Sequence, residues 1–144
     1  MVPLLVLIGV TLLARGFGLV SAALDSWVEA ARVGLAVMLL FTASAHFGSR
    51  RSGMLQMVPR WVPYSQIVVT LTGIFEVLAA IGLFIPLLRP WVGVLLVLYL
   101  IAVFPANVQA ARLETKLGNY RTTPLALRAP IQLLFIAVAL WVSR

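Results

Sequence analysis

LTGIFEVLAAIGLF, residues 71–84, is an apolar helix-length run with one glutamate, Glu76, near its centre. Such a run is either the buried helix of a soluble protein or a membrane span. The rest of the chain decides between them. Of 144 residues, 62% are hydrophobic and 10% are charged, and the mean hydropathy is +1.08. Ordinary soluble domains carry about a quarter charged residues, so the solvent for most of this surface is lipid. Glu76 then lies about ten residues from either end of its helix, roughly 15 Å deep at 1.5 Å per residue. That is close to the bilayer midplane.

Working outward, the hydropathy pattern predicts five helices, at about 2–20, 27–47, 66–85, 91–110 and 125–142. The expected fold is all-α: one membrane domain over 1–144, an integral membrane four-helix bundle with an additional N-terminal transmembrane helix. Leu4–Leu13 has the length of a signal-peptide core, and VSA at 20–22 resembles a cleavage site. No basic residue precedes the run, so the segment reads as a retained helix with Arg15 snorkelling from its far end. Asp25 and Ser26 are cap residues for the second helix, and Trp27 and Trp141 are interfacial anchors. IPLLRP at 85–90 is a tight turn between antiparallel helices three and four. The connection 48–65 mixes arginines with Met54, Leu55, Met57, Val58 and Trp61, the composition of a segment lying along a membrane surface.

Basic residues set the expected orientation. With five spans, one side holds Arg50, Arg51, Arg60, Arg112, Lys116, Arg121 and Arg128. The other holds Arg15, Arg32, Arg89 and Arg144, with Asp25 and Glu29 beside the first two. The positive-inside rule places the N-terminus in the cytoplasm and the C-terminus outside. The net charge of +7 is thereby explained by topology and by anionic membrane lipids rather than by nucleic acid. Glu29 and Arg32 share a helix face as an i, i+3 pair.

Polar side chains within the spans carry the functional reading. An acid at the depth of Glu76 favours its neutral form unless a cation lies close. It is then a hydrogen-bond donor as well as an acceptor. His46, Asn107 and Arg128 fall roughly 5 Å or less inside the cytoplasmic edge. Thr42, Thr72 and Gln132 fall roughly 10 Å inside it, with Glu76 deeper. With these faces inward, the helices enclose a polar funnel open to the cytoplasm and closed above by Glu76. Gly73 and Gly82 let a neighbouring helix approach closely. Pro105 frees a backbone carbonyl near Ile101. Each residue also has a plainer role. Glu76 would bond Gln132 or a carbonyl as packing glue, His46 would be interfacial, Asn107 would satisfy the break at Pro105, and Arg128 would anchor topology.

Several chemistries are excluded. Cysteine is absent, which removes disulfides, thiol catalysis and thiolate metal sites. One histidine supplies neither a bis-histidine haem nor a histidine metal cluster, so no metal site is expected. No dinucleotide, phosphate-loop or zinc-protease motif is present. Covalent catalysis is not expected, whereas proton transfer by Glu76 and His46 is open.

SAHF (44–47), MVPRWVP (57–63), TGIFEVLAAIGL (72–83) and VFPANVQAA (103–111) together resemble the DoxX-like family of small bacterial membrane proteins. The resemblance covers about 27–142. It implies a four-helix membrane core in the bacterial inner membrane, with His46, Pro59, Gly73, Glu76, Pro105 and Asn107 at family-like positions. Relatives are associated with quinone-linked respiratory or sulfur-oxidising complexes and with oxidative-stress assemblies. The implied function is a redox-associated subunit binding a quinone or similar lipophilic ligand, at most a non-covalent quinone-linked oxidoreductase component. Thr42, His46, Thr72, Glu76, Asn107, Arg128 and Gln132 would line the site. No cofactor is expected on the chain itself, and electrons would come from a redox partner protein. Two alternatives remain open at this point: a non-catalytic binder or transporter of a lipid or small amphiphile, and a structural assembly subunit.

Overall fold

The computed structural model describes residues 2–18, 24–112, 116–117, 120–121 and 124–144. The motif at 20–22 and the side chains of Lys116 and Arg121 lie outside what is described. The elements are α1 (Val2–Phe17), α2 (Trp27–Phe47), α3 (Arg51–Met57), α4 (Ser65–Gly82), α5 (Arg89–Arg112), β1 (Lys116–Leu117), β2 (Tyr120–Arg121) and α6 (Leu125–Val142). β1 and β2 form only a two-residue antiparallel ladder in the α5–α6 connection, so the fold is all-helical. Helices α2, α4, α5 and α6 are long and apolar enough to cross a membrane.

Helix α4 shows how the sequence is distributed. Val69, Gly73, Glu76 and Ala80 are buried along one stripe, whereas Ile67, Leu71, Ile74, Leu78 and Ile81 are exposed along the opposite one. Both stripes follow the helical period. Large apolar residues face outward and small or polar ones inward, the reverse of a water-soluble helix and the expected pattern in lipid. Exposed Trp27, Trp91 and Trp141 gather at one end of the fold, and exposed Trp61 and Tyr64 at the other. They form two belts like those at membrane interfaces.

Helix α2 packs against α1, α4 and α6, and α5 packs against α6. Small residues set these approaches. A Cβ on Gly73 would lie 2.7 Å from His46 Cβ, and one on Gly82 would lie 2.7 Å from Val92 Cγ2. The end containing the α2 N-terminus is sealed by a dry core that includes Leu35, Ala80, Leu83, Leu96, Ala139 and Val142. Arg32, only 1% exposed, reaches through this end. Its Nε donates to the Val142 carbonyl at 3.0 Å, and Nη1 pairs with Glu29. The last carbonyls of a helix have no intrahelical donor and carry the negative end of its dipole, so a guanidinium fits there. Arg89 does the same for α4, with Nε 3.1 Å from the Leu83 carbonyl.

The bounds of α1, α4 and α5 differ from expectation. Helix α1 is described to Phe17, 16 residues, which at 1.5 Å per residue is roughly 24 Å and short of a full bilayer core. Its Arg15 pairs with Asp25 at 3.0 Å and lies over the Trp27 ring. Asp25 is therefore an ion-pair partner, and Ser26 alone caps α2, accepting from the Val28 amide. Helix α4 ends at Gly82 rather than 85 because Pro86 disfavours helix before it. Pro90 fits within the first turn of α5, where no amide donor is needed.

The segment 48–65 does more than lie along the outside. It forms α3, with Gly53 and Met57 buried against the fold. Arg51 ties this turn down, with Nη1 2.6 Å from the His46 carbonyl and Nη2 2.9 Å from Thr70 Oγ1. Gln109 Nε2 holds its other end through the carbonyls of Gln56 and Val58 at 3.1 and 3.0 Å.

Candidate functional site

The end of the fold opposite the dry core contains a cavity of about 340 Å³, within the range of small-molecule pockets. Its wall includes Thr42, His46, Thr72, Glu76, Asn107, Arg128 and Gln132, all seven residues singled out from the sequence. The remaining wall is mostly apolar. It includes the first turn of α1 (Val2, Pro3 and Leu4) and Met54 and Met57 of α3.

Two groups of hydrogen bonds organise the polar wall. The first joins α2 to α4 at His46 and, separately, α4 to α5 at Glu76. His46, 3% exposed, places Nδ1 2.7 Å from the Val69 carbonyl and 3.1 Å from Thr72 Oγ1. A carbonyl can only accept, so Nδ1 carries the hydrogen and Nε2 is left facing Glu76. The Thr72 hydroxyl itself donates to the Val68 carbonyl at 2.9 Å. Nε2 lies 3.6 Å from Glu76 Oε2, beyond hydrogen-bond length. On the far side of the carboxyl, the Tyr99 hydroxyl donates to Oε1 at 2.6 Å. Tyr99 is oriented by Phe75, with ring centroids 4.9 Å apart. Oε2 is buried with no hydrogen-bond partner. The Thr42 hydroxyl donates back to its own helix, at the Leu39 carbonyl.

The second group joins α6 to α5. Arg128 Nη1 donates to Asn107 Oδ1 at 2.7 Å, and Asn107 Nδ2 donates to Gln132 Oε1 at 2.9 Å. Gln132 Nε2 donates in turn to the Leu100 carbonyl. Proline at 105 removes the amide that would serve the Ile101 carbonyl. Gln132 thus reaches the carbonyl next to the one affected, and Asn107 acts at one remove.

The structure departs from the depth arithmetic in one respect. His46 and Glu76, expected at separate levels, face each other. The close approach at Gly73 brings the last turn of α2 across α4, and two side chains close the remaining gap. His46 is buried rather than interfacial. Glu76 bonds Tyr99, not Gln132. Tyr99 was not singled out from the sequence, although a signal existed: tyrosine favours membrane interfaces, and this one sits mid-span in VLLVLYLIAVF (94–104). The clamps made by Arg51 and Gln109 had no local signal, since each acts on a backbone carbonyl of another element. Among the described residues, no three His, Cys, Asp or Glu side chains converge in a way that could hold a metal ion.

Fold and site together define a small helical protein with an apolar exterior and a partly polar internal cavity. The chain belongs to the family described as domain of unknown function DUF8561, which it matches over residues 35–143. No curated protein and no solved structure matches the chain.

Proposed function

We propose that this chain is a multi-pass protein of the bacterial inner membrane that binds a quinone or similar lipophilic ligand in the cavity, as a redox-associated subunit. The carrying observation is Glu76 Oε2, a buried polar atom without a hydrogen-bond partner, 3.6 Å from His46 Nε2 on the wall of a mostly apolar pocket. A buried carboxyl oxygen left unbonded costs free energy, and a ligand polar group entering the cavity would relieve it. Intramembrane acids commonly mark ligand or proton pathways. Glu76 and His46 would contact the ligand head and exchange protons with it. Thr42, Thr72, Asn107, Arg128 and Gln132 would shape the polar wall, and a partner protein would supply or remove electrons. The reading includes the resemblance to DoxX-like proteins, whose blocks carry His46, Glu76 and Asn107.

The same proposal takes the fold as a four-helix membrane bundle with α1 as an additional N-terminal transmembrane helix. Its support is the packing of α1 on α2 and the outward exposure of Leu5, Ile8, Leu12 and Leu13. The N-terminus would be cytoplasmic, so the cavity lies at the cytoplasmic end. The distribution of charge supports this orientation: Arg50, Arg51, Arg60, Arg112 and Arg128 lie at the cavity end, whereas at the sealed end Arg15 and Arg32 are paired with Asp25 and Glu29.

A second reading, a binder or transporter of a lipid or small amphiphile, is favoured by Arg50 and Arg128 in the cavity wall beside apolar surface, which suits an anionic head. A purely packing role would seal Glu76 against its neighbours. The cavity beside it speaks for a ligand. The test is solvent extraction of protein purified in mild detergent, followed by mass spectrometry and heat denaturation with added ligand. A copurified isoprenoid quinone and quinone-dependent protection are expected. Another lipid in its place would favour the second reading, and absence of both ligand and protection would defeat the two together.

A further inference from the structure

We propose that a second, outward-facing groove at the cavity end of the fold is a binding site for an anionic phospholipid of the surrounding membrane. The groove lies between α3 with residues 58–61 on one side and the C-terminal end of α5, from Phe104 to Arg112, on the other. Its volume is about 1040 Å³. Among the described residues it shares only Val58 with the cavity wall. The inference therefore goes beyond the ligand reading above and is tested separately from it. The two walls are joined in advance. Gln109 of α5 donates to the Gln56 and Val58 carbonyls at 3.1 and 3.0 Å, so a ligand meets a groove already formed.

Charge selects the occupant. Arg60 and Arg112 border the groove, one from each wall, and both are exposed. Neither is bonded to another group among the described residues. The groove wall contains no acid. Of the chain's four acidic residues, Asp25 and Glu29 lie at the sealed end, Glu76 lies in the cavity, and Glu114 is outside the described residues. Two guanidinium groups without a carboxylate complement a phosphodiester, whose oxygens match the donor fork of arginine. A zwitterionic head would bring an ammonium group towards the same two cations. A lone interfacial arginine meets whichever headgroup is nearest, whereas two on opposite walls of one groove address the same one.

Position selects the membrane as the source. Trp61, 75% exposed, belongs with Tyr64 to the aromatic belt at this end, the level at which phospholipid heads lie. Away from the arginines the groove is lined by Phe104, Pro105 and Val108. The same face of α5 continues through Ile101 and Leu98, each 57% exposed, one and two turns nearer mid-span. An acyl chain attached to a head held by Arg60 and Arg112 thus has a continuous apolar track. A free phosphate would use the charged end alone.

The experiment titrates the delipidated full chain in mild detergent with phosphatidylglycerol brominated on its acyl chains, and with the matching phosphatidylcholine. Quenching of Trp61 is read as the difference between the wild type and Trp61→Phe. Phosphatidylglycerol is expected to bind at least about tenfold more tightly, since each arginine near a membrane surface corresponds to about fivefold in affinity for an anionic lipid. Arg60→Gln and Arg112→Gln should each weaken it about fivefold and leave phosphatidylcholine binding unchanged. Arg144→Gln, exposed at the opposite end, should alter neither. All three positions are exposed, so the variants are expected to fold. Equal affinity for the two lipids, or equal losses in all three variants, would overturn the inference. Glycerophosphoglycerol carries the head without the chains and should not compete at the same concentration. If it does, the groove is a site for free anions and the lipid assignment falls. A concentration-dependent dimer that shields Trp61 from the brominated lipid would also overturn it, by showing a second copy in the groove.

Discussion

The Tyr99 hydroxyl donates to Glu76 Oε1 at 2.6 Å and joins α5 to α4 at the inner limit of the cavity. Tyr99→Phe leaves Oε1 without this donor, and a loss of about 1–2 kcal/mol is expected. In a Glu76→Leu background the same substitution should cost less than half as much, since no acceptor remains. A double-mutant cycle read by denaturation in detergent measures the coupling. Equal costs in both backgrounds would show that the hydrogen bond contributes nothing.

Gly73 controls how closely α2 crosses α4. A Cβ there would meet His46 Cβ at 2.7 Å and the Phe47 ring at 2.9 Å. Gly73→Ala should therefore cost about 1–3 kcal/mol through overpacking and should displace His46 from Glu76. Gly9→Ala is the control, because a Cβ on Gly9 meets nothing within 4 Å. That change should be neutral or stabilise by up to about 1 kcal/mol, from helix propensity. Thermal denaturation of the two variants separates a packing effect from a general effect of removing glycine.

Arg51 fastens the turn after α2 to the start of α4 through the His46 carbonyl, the Gln66 carbonyl and Thr70 Oγ1. Arg51→Ala should destabilise by about 1–3 kcal/mol, because its charge-assisted bonds to the His46 carbonyl, the Gln66 carbonyl and Thr70 are lost. Arg60 is exposed, and Arg60→Ala should stay within about 0.5 kcal/mol of the wild type. Faster protease cleavage near residues 48–64 in the first variant but not the second is the expected signature.

Orientation is testable because the chain contains no cysteine. Exposed Ser52 lies at the cavity end, and Leu87, 83% exposed, lies in the turn at the sealed end. In intact bacterial cells a membrane-impermeant thiol reagent should label Leu87→Cys and spare Ser52→Cys until the membrane is opened. The reverse pattern would place the cavity mouth outside.

The sequence by itself determined the helical class, the apolar exterior and the faces of most helices. Those features follow from composition and a 3.6-residue period, which are local. Val69, Gly73 and Glu76 had to share a stripe of α4 once that segment was a helix, and the other polar residues could be assigned a depth by counting along their own helices. Tertiary structure decided the partners. That Glu76 meets Tyr99 and His46 rather than Gln132 depends on lateral approach between helices, which small residues such as Gly73 permit but do not choose. The clamps of Arg32, Arg51, Arg89 and Gln109 were hidden for a related reason. Their acceptors are backbone carbonyls at element ends, groups every residue possesses, so side-chain identity does not reveal which carbonyl is reached.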